Sequence, residues 1–173
     1  VAIVTGANSG LGYFTTQELA RRGAVIVMAC RNQQKAKAAM ILIHKEVPKA
    51  RLHFIKLDLA SLKSIKSFAK EFKQAFEQLD ILCNNAGIMA IPQRKTADGF
   101  EMQLGTNHLG HFALTALLID VLMKTPKSRI VNVSSIAHRF GKMNFEDLNS
   151  EKSYTKWAAY GQSKLANILF TLE

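Results

Sequence analysis

The sequence predicts an α/β fold in which a parallel sheet carries helices on both faces, a doubly wound arrangement. Three observations carry that prediction. Short apolar, β-branched runs recur at Val1–Val4, Ala24–Ala29 and Leu52–Leu57, and each is followed by a segment of helical periodicity. The first two runs are apolar throughout rather than alternating, the pattern of strands buried on both faces. The first run passes through Gly6, Gly10 and Gly12 directly into a helical pattern from Leu11 to Arg22, so strand, glycine-rich turn and helix follow in immediate succession.

The elements follow in order. A glycine turn of this kind lets the backbone approach a pyrophosphate, while the unpaired N–H groups and positive dipole end of the next helix face the negative charge. The spacing Gly6-x-x-x-Gly10-x-Gly12 is not the commoner Gly-x-Gly-x-x-Gly, and tight-turn packing is the plain alternative for such glycines. Ala24–Ala29 reads as the second strand, Asn32–Glu46 as a helix with Pro48 just beyond its end, and Leu52–Leu57 as the third strand. Ser61–Glu77 is a helix capped by Ser61, and Asp80–Asn84 the fourth strand. Thr96–Met123 reads as a long helical region interrupted near Gly105–Gly110, Lys127–Ser134 contains a fifth strand, and Ala158–Leu172 is a final helix. Helices between successive strands imply parallel pairing with right-handed crossovers.

At 173 residues and 48% hydrophobic, the chain is one domain's worth of globular protein. Its longest apolar runs, Ala24–Cys30 and Phe112–Ile119, fall short of the roughly 20 residues of a membrane helix. No membrane span is expected. Cys30 and Cys83 lie in apolar runs without a metal-ligand spacing, so they read as buried free thiols, no metal is expected, and a cytoplasmic location follows as an expectation. The formal net charge of +10 raises nucleic acid as a partner. Lys63, Lys66, Lys70 and Lys73 share one helix face with no interleaved aromatics, however. That is the pattern of a solvated face, and no nucleic-acid partner is expected.

In an open parallel sheet, ligands bind outside the C-terminal ends of the strands. Those ends carry Thr5-Gly6, Cys30-Arg31, Leu57-Asp58-Leu59, Asn84-Asn85-Ala86-Gly87 and Val133-Ser134-Ser135, polar or glycine where the strands feeding them are apolar. Tyr160 and Lys164 stand four apart in a helical pattern and project from one face. A free tyrosine has a pKa of about 10. A fixed ammonium favours the phenolate and lowers that pKa, which makes tyrosine a usable proton donor and acceptor near neutrality. Alone, the pair could equally be a half-buried aromatic and a surface charge.

It does not stand alone. Thr5-Gly6-Ala7-Asn8-Ser9-Gly10-Leu11-Gly12, Asn84-Asn85-Ala86-Gly87, Asn107, Val133-Ser134-Ser135 and Tyr160-x-x-x-Lys164 occur in the order and approximate spacing of the short-chain dehydrogenase/reductase family, and the resemblance covers essentially the whole chain. Arg31, the stretch Asn107-His108-Leu109-Gly110-His111-Phe112 and the run Ser163–Phe170 resemble its retinol-dehydrogenase-like branch more narrowly.

The resemblance implies a Rossmann-like fold and a hydride transfer between a nicotinamide cofactor and an alcohol or carbonyl, hydrophobic in class (retinoid, steroid or lipid aldehyde). It implies that Tyr160 is the general acid/base, that Lys164 holds the nicotinamide ribose and lowers the tyrosine pKa, and that Ser135 binds the substrate oxygen. Ser134 would support the strand end. Asn107 would break its helix and hold a water continuing a proton path from Lys164. Gly6, Asn8, Ser9, Gly10, Leu11, Gly12, Asp58, Leu59, Asn85, Ala86 and Gly87 would hold the cofactor beside Tyr160 and Lys164, with Asp58 accepting a hydrogen bond from adenine. The stretch between Ser135 and Tyr160 is longer than in many family members, though its branch shares the longer form; it would shape the substrate pocket. His108, His111 and His138 read as helix or loop residues, since Tyr160 already supplies the base.

Cofactor choice can be argued from the residues. NAD-selective sites carry an acidic residue after the second strand. Here no Asp or Glu occurs between Glu18 and Glu46, and Arg31 stands at that strand end, where a guanidinium can pair with a 2′-phosphate. NADP is expected over NAD, with Arg31 as determinant and Asn32 assisting. The rival reading is a catalytically silent regulatory or scaffold protein that keeps the nucleotide site. A homodimer through the long helices is compatible with the resemblance. The chain opens inside a strand and ends within the helix of Tyr160 and Lys164 with no cap. A single but incomplete domain is therefore expected, truncated at the C-terminus and lacking a further strand and the segment that closes over the substrate.

Overall fold

The computed structural model describes residues 1–173. Five parallel strands, β1 (Ala2–Thr5), β2 (Val25–Cys30), β3 (Arg51–Lys56), β4 (Ile81–Asn84) and β5 (Arg129–Asn132), form one sheet in the order β3-β2-β1-β4-β5. The order reverses between β1 and β4, where Ile3 lies opposite both Val27 and Leu82. That is the switch point at which a crevice opens in such sheets.

The alternation of side chains along β1 divides the core. Ile3 joins Val27, Ile55 and Leu82 under α3 (Leu62–Ala75) and α5 (Gly110–Lys124), where Phe68, Phe72, Leu114 and Leu118 are fully buried. Ala2 and Val4 face the other way, joining Ile26, Met28, Ala36 and Ile43 under α1 (Gly10–Arg21) and α2 (Gln33–Glu46). The two-sided burial read from the uniform apolar runs is therefore present in β1 and β2. β5 is an edge strand, with Ile130 and Val131 left 38% and 47% exposed.

The helix starts follow local chemistry. Asn32 accepts a hydrogen bond from the Lys35 N–H and caps α2, and Ser61 accepts from Ser64 and caps α3. One expectation needs correction. The region from Thr96 is not helical until Met102: Gly99 takes φ +87°, the Thr96 hydroxyl accepts from the Phe100 N–H, and Lys95 pairs with Glu101 in an antiparallel bridge. The Asp98-Gly99 turn overrides the helical pattern there. The buried Glu101 carboxylate then accepts from the Gln103 and Leu104 N–H groups and starts α4 (Met102–Leu104). The interruption expected near Gly105 is a π turn, Gly105–Leu109, followed by α5. The last helix, α6 (Lys156–Leu172), begins two residues earlier than the pattern suggested, capped by backbone at Thr155. No helix is long and apolar enough to cross a membrane.

Candidate active site at the strand ends

A cavity of about 660 Å³ opens over the C-terminal ends of the strands. Of the residues singled out in the sequence, Gly6, Asn8, Ser9, Gly10, Leu11, Arg31, Asp58, Leu59, Asn85, Ala86, Gly87, Ser135, Tyr160 and Lys164 all line it. Gly12, Asn32 and Asn107 do not. Asn32 spends its carbonyl oxygen on capping α2, which leaves only its amide N–H groups for any other partner.

The glycine turn presents bare backbone to this cavity. Gly6 and Gly10 take φ +65° and +54°, and a methyl group built on Gly10 would meet nothing within 4 Å. Gly12 is the opposite case: a Cβ there would sit 2.4 Å from the Gly6 carbonyl oxygen and 2.6 Å from Asn85 Nδ2. Ser9, at the N-cap of α1, makes no side-chain capping bond, and the first turn holds no acidic residue. The N–H groups at the start of α1 are thus free to take an anion. These features fit the phosphates of a dinucleotide.

Thr5 organises the floor. Its hydroxyl accepts from the Asn85 and Ala86 N–H groups, both at 2.9 Å, and the Asn85 amide donates to the Thr5 carbonyl at 2.9 Å. Opposite, Asn107 sits in the π turn with no exposed surface. Its amide oxygen accepts from the Ile88 N–H at 2.8 Å, and its Nδ2 donates to the Ile88 carbonyl and to Ser163 Oγ, each at 2.9 Å. Ser163 in turn donates to the Tyr160 carbonyl at 2.8 Å. Asn107 therefore clamps the β4 loop to α6, one layer behind the cavity.

Lys164 is held the same way. Its Nζ donates to the Val133 carbonyl at 3.0 Å and lies 5.9 Å from the centre of the Tyr160 ring. Burial lowers its pKa. An ammonium has three N–H donors, so those not engaged by Val133 remain for a ligand. Gly87 leaves room for it, since a Cβ at that position would stand 3.4 Å from Lys164 Nζ. Ser134 donates to the Lys164 carbonyl at 2.7 Å and so ties the strand end to α6. The Ser135 oxygen accepts from the Ala137 N–H, which leaves its own O–H free to donate. Trp157 packs edge-on against Tyr160, ring centres 6.3 Å apart.

Three residues that hold this site together received no role from the sequence: Thr5, Ser163 and His111. Thr5 and Ser163 sit inside the quoted motifs, and a polar residue within a buried strand or beside a helical pair was the available sign. His111 is fully buried, donates from Nδ1 to the Asn107 carbonyl, lies within hydrogen-bond distance of the Thr5 hydroxyl through Nε2, and burial pushes its pKa down to about 4. Cys30 and Cys83 are buried and unpaired by disulfide; burial raises both thiols, Cys30 to about 11.

Comparison with known proteins agrees with this arrangement. A family model described as short chain dehydrogenase matches residues 1–173. Human retinol dehydrogenase 12 is 51% identical over 173 residues, all of this chain and 55% of that protein, and human retinol dehydrogenase 13 is 53% identical over 172 residues, 99% of this chain and 52% of that protein. The chain thus spans about half the length of the curated relatives it matches. A crystal structure of an uncharacterized protein from Mycobacterium Paratuberculosis superposes with a TM-score of 0.85 at 49% identity, covering 99% of this chain and 59% of that one. A short chain dehydrogenase from Escherichia coli CFT073, solved with NADPH, shares the fold at 24% identity and a TM-score of 0.77, covering 98% of this chain and 67% of that one. With the glycine turn, the β4 loop and the Tyr160–Lys164 helix meeting at one cavity, the chain belongs to the short-chain dehydrogenase family, in its retinol-dehydrogenase-like branch.

Proposed function

We propose that this chain is the dinucleotide-binding and catalytic part of an oxidoreductase that moves a hydride between NADP(H) and an alcohol or carbonyl compound. The observation that carries the reading is that Tyr160 and Lys164 enter the same cavity that the bare glycine turn lines. A bound nicotinamide supplies or accepts the hydride. In the reducing direction the Tyr160 hydroxyl gives its proton to the substrate oxygen as the carbonyl carbon gains the hydride; in the oxidising direction it takes that proton back. Ser135 donates its free O–H to the same oxygen. Lys164 uses its remaining N–H donors on the ribose and favours the phenolate electrostatically. Asn107, with its side chain fully engaged, acts by holding Ile88 and α6 in place.

Arg31 favours NADP. It is exposed at the end of β2, lines the cavity, and no Asp or Glu lies between Glu18 and Glu46 to bond a ribose 2′-hydroxyl instead. Residues beside the cavity support the substrate class. Ile136 beside Ser135, Phe140 against Gly161 and Trp157 against Tyr160 are 72%, 56% and 50% exposed, an apolar border suited to a hydrophobic alcohol or aldehyde. Relatives named retinol dehydrogenases support the same class. The test is oxidation of NADPH and of NADH by the full-length protein against a panel of hydrophobic aldehydes and ketones. Turnover that prefers NADPH is expected; tight NADPH binding with no turnover across the panel would instead establish a silent nucleotide-binding protein.

A further inference from the structure

His111 is buried and titratable, the reaction does not use it, and its ring is hydrogen-bonded to two parts of the site at once. Its ring bridges two backbone regions that carry the site: Nδ1 lies 2.9 Å from the Asn107 carbonyl oxygen, and Nε2 lies 2.8 Å from the Thr5 hydroxyl. Thr5, Asn107 and His111 have 0%, 0% and 1% of their surface exposed, so water cannot substitute for any of these bonds.

Counting donors leaves a single arrangement of protons. A carbonyl has no proton to give, so Nδ1 must carry the hydrogen and donate to Asn107. In the neutral ring Nε2 is then an acceptor, and the Thr5 hydroxyl is the group that faces it. Thr5 therefore spends its one proton on His111 rather than on the Cys83 carbonyl, which is farther away at 3.4 Å. Its two lone pairs are taken by the Asn85 and Ala86 N–H groups. A proton added at Nε2 would point at an oxygen with no lone pair left and would strand a buried N–H group. The charged groups facing the ring also oppose it: Lys164 from α6 and, when protonated, His108 from the π turn.

We propose that His111 is a positioning residue, whose neutral Nδ1–H tautomer ties the Asn107 carbonyl to Thr5 and thereby fixes the π turn against the glycine turn and the β4 loop. It closes a ring of bonds. Thr5 holds the Asn85 and Ala86 end of the loop, Asn107 clamps the same loop at Ile88, and His111 joins Asn107 back to Thr5. Through Ser163 the ring continues to the Tyr160 carbonyl. The inference rests on reading Tyr160 and Lys164 as the reacting pair, for which this ring sets the position.

The test is long-range proton–nitrogen correlation NMR on the nitrogen-labelled protein, which identifies the tautomer of each ring without any turnover. His111 should show the neutral Nδ1–H pattern from about pH 8 to about pH 5.5, a range well above its depressed pKa. The Nε2 resonance should shift when the hydroxyl is removed by Thr5→Val and return to its wild-type position in Thr5→Ser. Thr5→Val, which removes all three hydrogen bonds of that hydroxyl, should also weaken NADPH binding by at least about tenfold, with Thr5→Ser restoring it. An Nε2–H tautomer, a doubly protonated ring at neutral pH, or an Nε2 resonance indifferent to Thr5→Val in folded protein would overturn the proposal. If Thr5→Val does not fold, the wild-type tautomer and the Thr5→Ser spectrum decide it. A turnover assay of Tyr160→Phe separates the two readings, since its outcome leaves the His111 tautomer untouched.

Discussion

Alanine in place of Gly12 puts the cofactor reading under direct strain. The added methyl would lie 2.4 Å from the Gly6 carbonyl oxygen, 2.9 Å from the Gly6 carbonyl carbon and 2.6 Å from Asn85 Nδ2. Comfortable contacts begin near 3.5 Å, so relief requires a movement of about 1 Å. Neither obstacle yields cheaply. Gly6 is backbone bonded to the Ala29 carbonyl, and the Asn85 amide is held by the Thr5 carbonyl. Overpacking of this kind costs about 1–3 kcal/mol, partly offset by the better helix propensity of alanine, worth about 1 kcal/mol. The expected net loss of stability is at most about 2 kcal/mol by urea denaturation. NADPH binding should suffer more, because the displaced turn loses charge-assisted bonds of about 1.5–3 kcal/mol each; a drop of about a hundredfold by calorimetry is expected. Gly23→Ala is the control. Gly23 has φ +81° and open space around a Cβ, so its substitution should cost about 1–2 kcal/mol in backbone strain and leave NADPH affinity unchanged. Wild-type NADPH affinity in Gly12→Ala, or equal losses from the two substitutions, would refute the assignment of the glycine turn.

Arg31→Ala should weaken NADPH binding by about ten- to a hundredfold with little effect on NADH, since only the former carries the 2′-phosphate; an unchanged ratio of the two affinities would remove Arg31 as the determinant. The stability of the fold should fall in mild acid because of His111. Its pKa is about 4 in the fold against 6.5 ordinarily, so the unfolded chain takes up a proton as pH falls through 6.5 while the fold does not. Stability is therefore full above that range, drains as pH falls toward 4, and loses about 3 kcal/mol in all, of which about 2 kcal/mol goes between neutrality and about pH 5. Exposed carboxylates such as Glu18 and Asp120, lowered by their hydrogen bonds to Arg22 and Lys73, weaken the fold in acid too. The readout is accordingly the difference from His111→Phe, whose denaturation midpoint should be less pH-dependent; identical pH slopes would contradict the burial of a neutral ring.

The sheet and the cavity lining were legible because both depend on local pattern. Apolar runs mark buried strands, and polar residues interrupting those runs mark the strand ends, so Arg31, Asp58, Asn85 and Ser135 could be placed there from pattern, while Asn8 came from the family resemblance. Pairing of Tyr160 with Lys164 follows from helical periodicity. What the pattern hid was non-local. The segment from Thr96 to Glu101 has helical composition, yet a bridge and a glycine with positive φ hold it in a turn. The roles of Thr5, Ser163 and His111 arise from bonds between residues far apart in sequence, such as Thr5 with His111, and no periodicity records those. Asn32 shows the reverse case, a residue beside the cofactor end of β2 whose carbonyl oxygen is taken by a helix cap.

Proton transfer by Tyr160 is the central claim, and Tyr160→Phe in the full-length protein tests it most directly. The substitution removes one hydroxyl and keeps the ring that packs against Trp157, so folding and NADPH binding should persist. NADPH-dependent turnover should fall by a factor on the order of 10²–10⁴, the span that a positioned acid or base contributes. A Tyr160→Phe protein that binds NADPH and reduces its carbonyl substrate at the wild-type rate would contradict the account.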